Sequence, residues 1–189
     1  MSFGQCQSIK SLMSGFDRPW FIAGGWAIDL FIGKETREHK DIEFAIFRKD
    51  QIYLKNYLKE WEFKKVVNGK FHAWESEFLE LPIHEIHALN MLSGDKIEIL
   101  LNETKENNWI FRRDLRISYP LNSIWSINET GIPYLKPEIV LLYKAKNTRE
   151  IDHQDFLKIK DYLDKKKKKW LKNALEIHEP EHKWLRFLR

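Results

Sequence analysis

The chain has 189 residues, 43% hydrophobic and 32% charged, enough to bury one sizeable core and too apolar for a disordered segment. Its net charge is only +4, but the balance is uneven: residues 1–103 sum to −3 and residues 104–189 to +7, so the carboxy-terminal part is the basic one. A single cysteine, Cys6, excludes an internal disulfide, and neither a signal-peptide core nor a bilayer-length apolar stretch is present, so a soluble cytoplasmic protein is expected.

The periodicity predicts a leading helix over Gln5–Ser14 and then a short buried strand, Trp20-Phe21-Ile22-Ala23, bounded by Pro19. Gly24 and Gly25 follow. Two residues without a Cβ let the backbone turn sharply and approach a ligand, and the amides that open the next helix form an anion site. Asp29, four residues after Gly25, either braces this loop or decorates the helix. Asp41-Ile42-Glu43-Phe44-Ala45-Ile46-Phe47 reads as a strand, with Asp41 and Glu43 on one face and Ile42 and Phe44 in the core. Two acids held that close repel when both are ionised, and a hard cation such as Mg²⁺ removes the penalty.

A helix over Asp50–Glu60, capped by Asp50, comes next. Short strands are expected at Phe63–Val67, Phe78–Leu81, Ile86–Leu89, Ile97–Leu101 and Trp109–Arg112. Ser93-Gly94-Asp95 reads as a turn into the strand carrying Glu98 between Ile97 and Ile99. His84 and His87 lack the partners of a zinc site and read as structural or surface residues; His39 is the one histidine placed near the chemistry. Gly131–Pro137 is the expected seam before a helical part whose first helix starts at Pro137-Glu138 and ends with Lys144 and Lys146. Lys144 is either a phosphate ligand or a dipole partner, and Lys146 reads as a dipole partner. The run Lys165–Lys169, beside Trp170 and Leu171, fits the wet face of an amphipathic helix better than a nucleic-acid site.

The run GGWAIDLFIGKETREHKDIE, residues 24–43, resembles the signature of the polymerase-beta-type nucleotidyltransferase superfamily, in its small aminoglycoside and lincosamide branch. That pattern is Gly-Gly, a helix with an inward Asp, a Thr-Arg-x-His turn and Asp-x-Asp. The segments Trp109–Asp114 and Ile132–Lys146 resemble further blocks of the group, so the likeness spans most of the chain. One departure is Glu43, where the best-studied relatives carry Asp.

The resemblance implies an α/β (α+β) fold: a mixed β-sheet core flanked by helices over residues 1–130, with a carboxy-terminal helical part, 131–189, packed on it. It implies a metal-dependent transferase moving a nucleoside monophosphate, AMP from ATP or the equivalent from another nucleoside triphosphate, to a hydroxyl of a small molecule such as an aminoglycoside or lincosamide. Asp41, Glu43 and Glu98 would then be catalytic and hold two Mg²⁺ ions, Glu98 acting as a metal ligand or general base. Gly24 and Gly25 would cradle the phosphates, with Lys34, Arg37, His39, Lys40 and Lys144 as candidate cations around them. A stretch with Glu75, Glu77, Glu80 and Glu85, plus Trp74 and Phe78, either receives a cationic acceptor or is an edge strand charged against aggregation. Alternative readings are a non-catalytic nucleotide-binding or toxin-antitoxin-type module and a protein or RNA adenylyltransferase. Nucleic acid and membrane are not expected partners, and the oligomeric state is left open.

Overall fold

Alternation in the central strands becomes one buried and one open sheet face in the computed structural model, which describes residues 3–188. The order is α1 (Gly4–Leu12), β1 (Trp20–Ile22), α2 (Gly24–Ile32), β2 (Glu43–Phe47), α3 (Gln51–Tyr57), β3 (Trp61–Val67), β4 (Lys70–Ala73), β5 (Glu85–Asn90) and β6 (Lys96–Lys105). Then come β7 (Asn108–Ile110), β8 (Ser118–Pro120), β9 (Trp125–Ile127), β10 (Pro133–Leu135), α4 (Pro137–Ala145), α5 (Glu150–Ile159) and α6 (Lys165–His178). The expected α/β architecture is present: a mixed ten-stranded sheet with main path β4-β3-β5-β6-β2-β1-β10-β9, from which β7 and β8 branch at β6.

Two parallel pairings set the site. β2 lies parallel to β6 with Glu43 opposite Glu98, and β1 lies parallel to β10 with Ile22 opposite Tyr134. Parallel β1 and β10 run directly into α2 and α4, which pack on each other, so the Gly-Gly turn and the end of α4 approach the same region. Phe44, Ile99 and Ile86 are register neighbours turned into the core, and all are fully buried. Their neighbours Glu43, Glu98 and His87 therefore share the open face.

Several expectations need correction. The acidic strand begins at Glu43 rather than Asp41, which sits in an exposed bend. No strand forms at Phe78–Leu81: the Leu79 amide donates to Gln51 Oε1 (2.7 Å), and the Leu79 carbonyl accepts from Arg48 Nη1 and Gln51 Nε2, so side chains replace a ladder. β4 was not expected, although Asn68-Gly69, both at positive φ (50° and 74°), is a strong hairpin turn between β3 and β4. β8, β9 and β10 were also unforeseen, and β10 places sheet inside the segment read as the seam.

The carboxy-terminal segment is tied down by aromatic contact. Trp184 is fully buried, stacks on Phe156 of α5 (centroids 4.4 Å apart, 5° between planes) and donates Nε1–H to His153 Nδ1 at 3.0 Å. In α6, Leu171, Ala174 and Leu175 are buried while the lysine run forms the wetter first turns, capped by Asp164, which accepts from the Lys167 amide. Among the described residues no helix is long and apolar enough to cross a membrane.

Candidate functional site

The loop from Gly33 to Asp41 hangs on one buried carboxylate. Asp29 accepts from the Thr36 amide (3.0 Å), the Thr36 hydroxyl (2.6 Å) and His39 Nε2 (2.7 Å). Burial alone would raise the Asp29 carboxyl, but these hydrogen bonds outweigh it and hold it below the usual range. His39 stacks on Trp26 at 4.2 Å, and Arg37 reaches Asp155 of α5 at 3.2 Å. Gly25 is the gap that admits both: a Cβ there would meet the Arg37 guanidinium and lie 2.7 Å from His39 Cε1. Asp29→Ala is expected to leave buried donors unpaired and cost about 2–4 kcal/mol, a melting temperature lower by roughly 5–15 °C by calorimetry.

The acids converge next to this brace. Gly24, at φ +58°, faces Glu43 so closely that a Cβ would lie 2.7 Å from Glu43 Cδ, and the Ala23 amide donates to the Glu43 carbonyl at 2.9 Å. The Glu98 amide donates to the Ile42 carbonyl at 3.0 Å, extending the β2–β6 ladder toward Asp41. Burial raises the Glu43 carboxyl, an effect that Lys144 partly opposes. Burial and the nearby Glu43 charge push Glu98 up to about 7, with Asp41 adding to the rise. On β5, His87 Nε2 donates to Glu85 Oε1 at 2.7 Å, and its Nδ1 lies 3.8 Å from Glu98 Oε1.

This donor set fits a hard divalent cation. It is all-oxygen, it gathers acids on one face, and its repulsion is relieved by added positive charge. The group whose ligand atoms lie within 4.8 Å of one another is Glu85, His87 and Glu98, which adds one imidazole nitrogen to the oxygens. Glu98 titrates near 7 folded against 4.5 unfolded, so its stabilising contribution is full below pH 4.5 and is lost as pH rises through 7. In metal-free protein, the melting temperature of wild type should therefore fall by a few degrees more between pH 5 and 8 than that of Glu98→Gln. Added Mg²⁺ should raise the wild-type value more at pH 8 than at pH 5. A response to Mg²⁺ that is the same at both pH values would speak against carboxylate ligation.

Opposite these acids lies a basic cleft of about 310 Å³. Gly24 and Glu43 form one wall, and Arg112, Arg113, Lys144 and Arg149 supply cations. Arg113 donates to the Tyr143 carbonyl (2.7 Å), and both Arg112 and Arg113 lie over the Tyr143 ring at 5.5 and 5.4 Å. Neither arginine forms an ion pair with a carboxylate among the described residues, and burial lowers both guanidinium pKa values. Lys144 is held by Asp152 (2.6 Å) and Asp155 (3.1 Å). Burial would raise Asp152, but hydrogen bonds from Arg149 and Lys144 bring it down to about 2.

Of the residues singled out from sequence, Glu43 and Glu98 are register partners, Asp41 lies with Glu98 on a neighbouring cleft, and Gly24, Glu43 and Lys144 line the basic cleft. Gly25, Arg37 and His39 stand behind it as the packed brace, and Lys34 and Lys40 are exposed. The acidic stretch disperses: Glu77 pairs with Lys65, Trp74 is buried against Phe63, and only Glu85 reaches the cleft. Arg112, Arg113, Arg149 and His87 were not selected as site residues. The Arg112-Arg113 pair was visible as a motif, but nothing local said that it faces β2.

A family model described as aminoglycoside-2''-adenylyltransferase matches residues 5–159. A lincosamide resistance protein of Staphylococcus haemolyticus is 25% identical over 142 residues, covering 75% of this chain and 83% of that one. Among solved structures, the lincosamide antibiotic adenylyltransferase LnuA with lincomycin bound superposes with a TM-score of 0.58 at 19% identity, over 83% of this chain and 96% of that one. Two structures of the antibiotic-resistance factor ANT(2'')-Ia also match: one in solution (TM-score 0.61, 17% identity, 96% and 100% covered) and one with adenylyl-2''-tobramycin (0.53, 15%, 97% and 94%).

Proposed function

This chain belongs to the aminoglycoside-2''-adenylyltransferase family and is a nucleotidyltransferase, and we propose that it moves AMP from ATP to a hydroxyl of a small antibiotic-like acceptor at the Glu43–Glu98 row. The observation that carries this reading is the register pairing of Glu43 with Glu98 on one sheet face, beside a cleft that Glu43 lines together with Arg112 and Arg113.

The basic cleft takes the triphosphate. Arg112 and Arg113 offer forked donors to phosphate oxygens, and Lys144 adds charge between that cleft and Glu43. The acceptor oxygen attacks the α-phosphorus and forms a new P–O bond while the bond to the bridging oxygen breaks, so pyrophosphate leaves with the electron pair. Glu98, whose basicity is raised, takes the hydroxyl proton. Asp41 and Glu43 would hold divalent cations, which supply phosphate charge neutralisation and a lowered hydroxyl pKa when bound, leaving Glu98 free as the base. Most of the acceleration comes from holding donor and acceptor in line.

Incubation with Mg²⁺, α-labelled ATP and a panel of lincosamides and aminoglycosides should yield an AMP adduct and stoichiometric pyrophosphate. No adduct with any acceptor would remove this reading.

A further inference from the structure

The same sheet face carries a second cleft, of about 340 Å³. The basic cleft runs over Ala45, Leu100 and Asn102, toward the ends of β2 and β6; the second lies over Asp41, Lys96 and Glu98, toward their beginnings. Side chains two apart on a strand share a face, so Glu43 and Glu98 stand at the boundary between the two. From Glu98 the register continues through His87 of β5 to Lys64 of β3. A group transfer needs two substrates meeting at one set of reacting atoms, and a cleft on each side of the acid row provides that.

Resting on the function proposed above, we infer that this second cleft seats the acceptor. The chemistry it selects is a hydroxylated ring compound with an apolar face and no more than one positive charge, not a polyamine. Phe71 is the platform. It projects from the Asn68-Gly69 hairpin with 59% of its surface exposed, has no core role, and stands edge-on to His87 at 4.7 Å, with Leu89 as a further apolar wall. The charges decide the class. Asp41 and Glu98 are committed to the reaction centre, and Glu62 is paired with Lys64 at 3.3 Å. Lys96 then remains as a positive group on the lining, with no free acid to receive several ammonium groups.

The test compares lincomycin, a monoamine, with tobramycin, a polyamine, as acceptors for AMP from labelled ATP. Lincomycin should have at least tenfold the kcat/KM of tobramycin. Phe71→Ala should raise the lincomycin KM about tenfold with the ATP KM unchanged, and Phe71→Trp should restore it. Equal or better use of tobramycin, or a Phe71→Ala effect confined to the ATP KM, overturns the acceptor assignment while leaving the transferase intact. Transfer to neither compound, with pyrophosphate release indifferent to Glu43→Ala, overturns the transferase reading and this inference together.

Discussion

Glu43→Ala is expected to lower AMP transfer by at least about 10³-fold while the protein stays folded. Glu43 is the acid that the fold fixes most tightly: its carbonyl accepts from Ala23, its carboxylate abuts Gly24, and its strand partner is Glu98. Its removal takes away a ligand of the proposed cation site and part of the charge that raises Glu98. Glu43→Asp is the informative companion. It keeps the charge but withdraws the carboxylate by one methylene from the place that Gly24 leaves for it, so activity should fall by roughly 10–10². Pyrophosphate release measured under saturating Mg²⁺ and ATP separates the cases. Equal background rates in wild type and Glu43→Ala would leave only a nucleotide-binding module.

Gly24→Ala should lose activity by about 10² or more and also destabilise the chain. Two independent penalties meet at this residue. Its φ of +58° is left-handed, which costs a residue with a Cβ about 1–2 kcal/mol, and the new methyl would collide with the Glu43 carboxylate. The Glu43 carboxylate would have to swing aside, and a displacement near 1 Å is enough for a 10²-fold loss. Gly25→Ala offers the contrast. Its Cβ would strike Arg37 and His39, so its effect should be read first in thermal stability and only secondarily in kcat. A Gly24→Ala protein with wild-type kcat would show that Glu43 need not occupy this position.

Much of the fold was legible because apolar spacing and backbone chemistry are local. The Gly-Gly turn, α2, most of β2, the start of α4 at Pro137 and the amphipathic α6 all follow from residues that meet within a turn or a strand. The Asn68-Gly69 hairpin is equally local, set by two residues at positive φ. The absence of a strand at Phe78–Leu81 was not, because its backbone is satisfied by Gln51 and Arg48, about thirty residues away.

By itself the sequence determined which chemistry is available: two acids one residue apart, a glycine bend ahead of a helix, and membership of a transferase lineage. Tertiary structure alone decided which groups share that chemistry. Parallel pairing of β2 with β6 sets Glu98 opposite Glu43, α4 after β10 brings Lys144 to the cleft that Gly24 lines, and the chain between β7 and β8 places Arg112 and Arg113 on that cleft. Arg37 and His39, cationic candidates by spacing, became a brace because Asp155 and Asp29 are buried where these side chains reach. Charge partners more than a hundred residues apart are chosen by burial and register, and neither quantity exists until the sheet has formed.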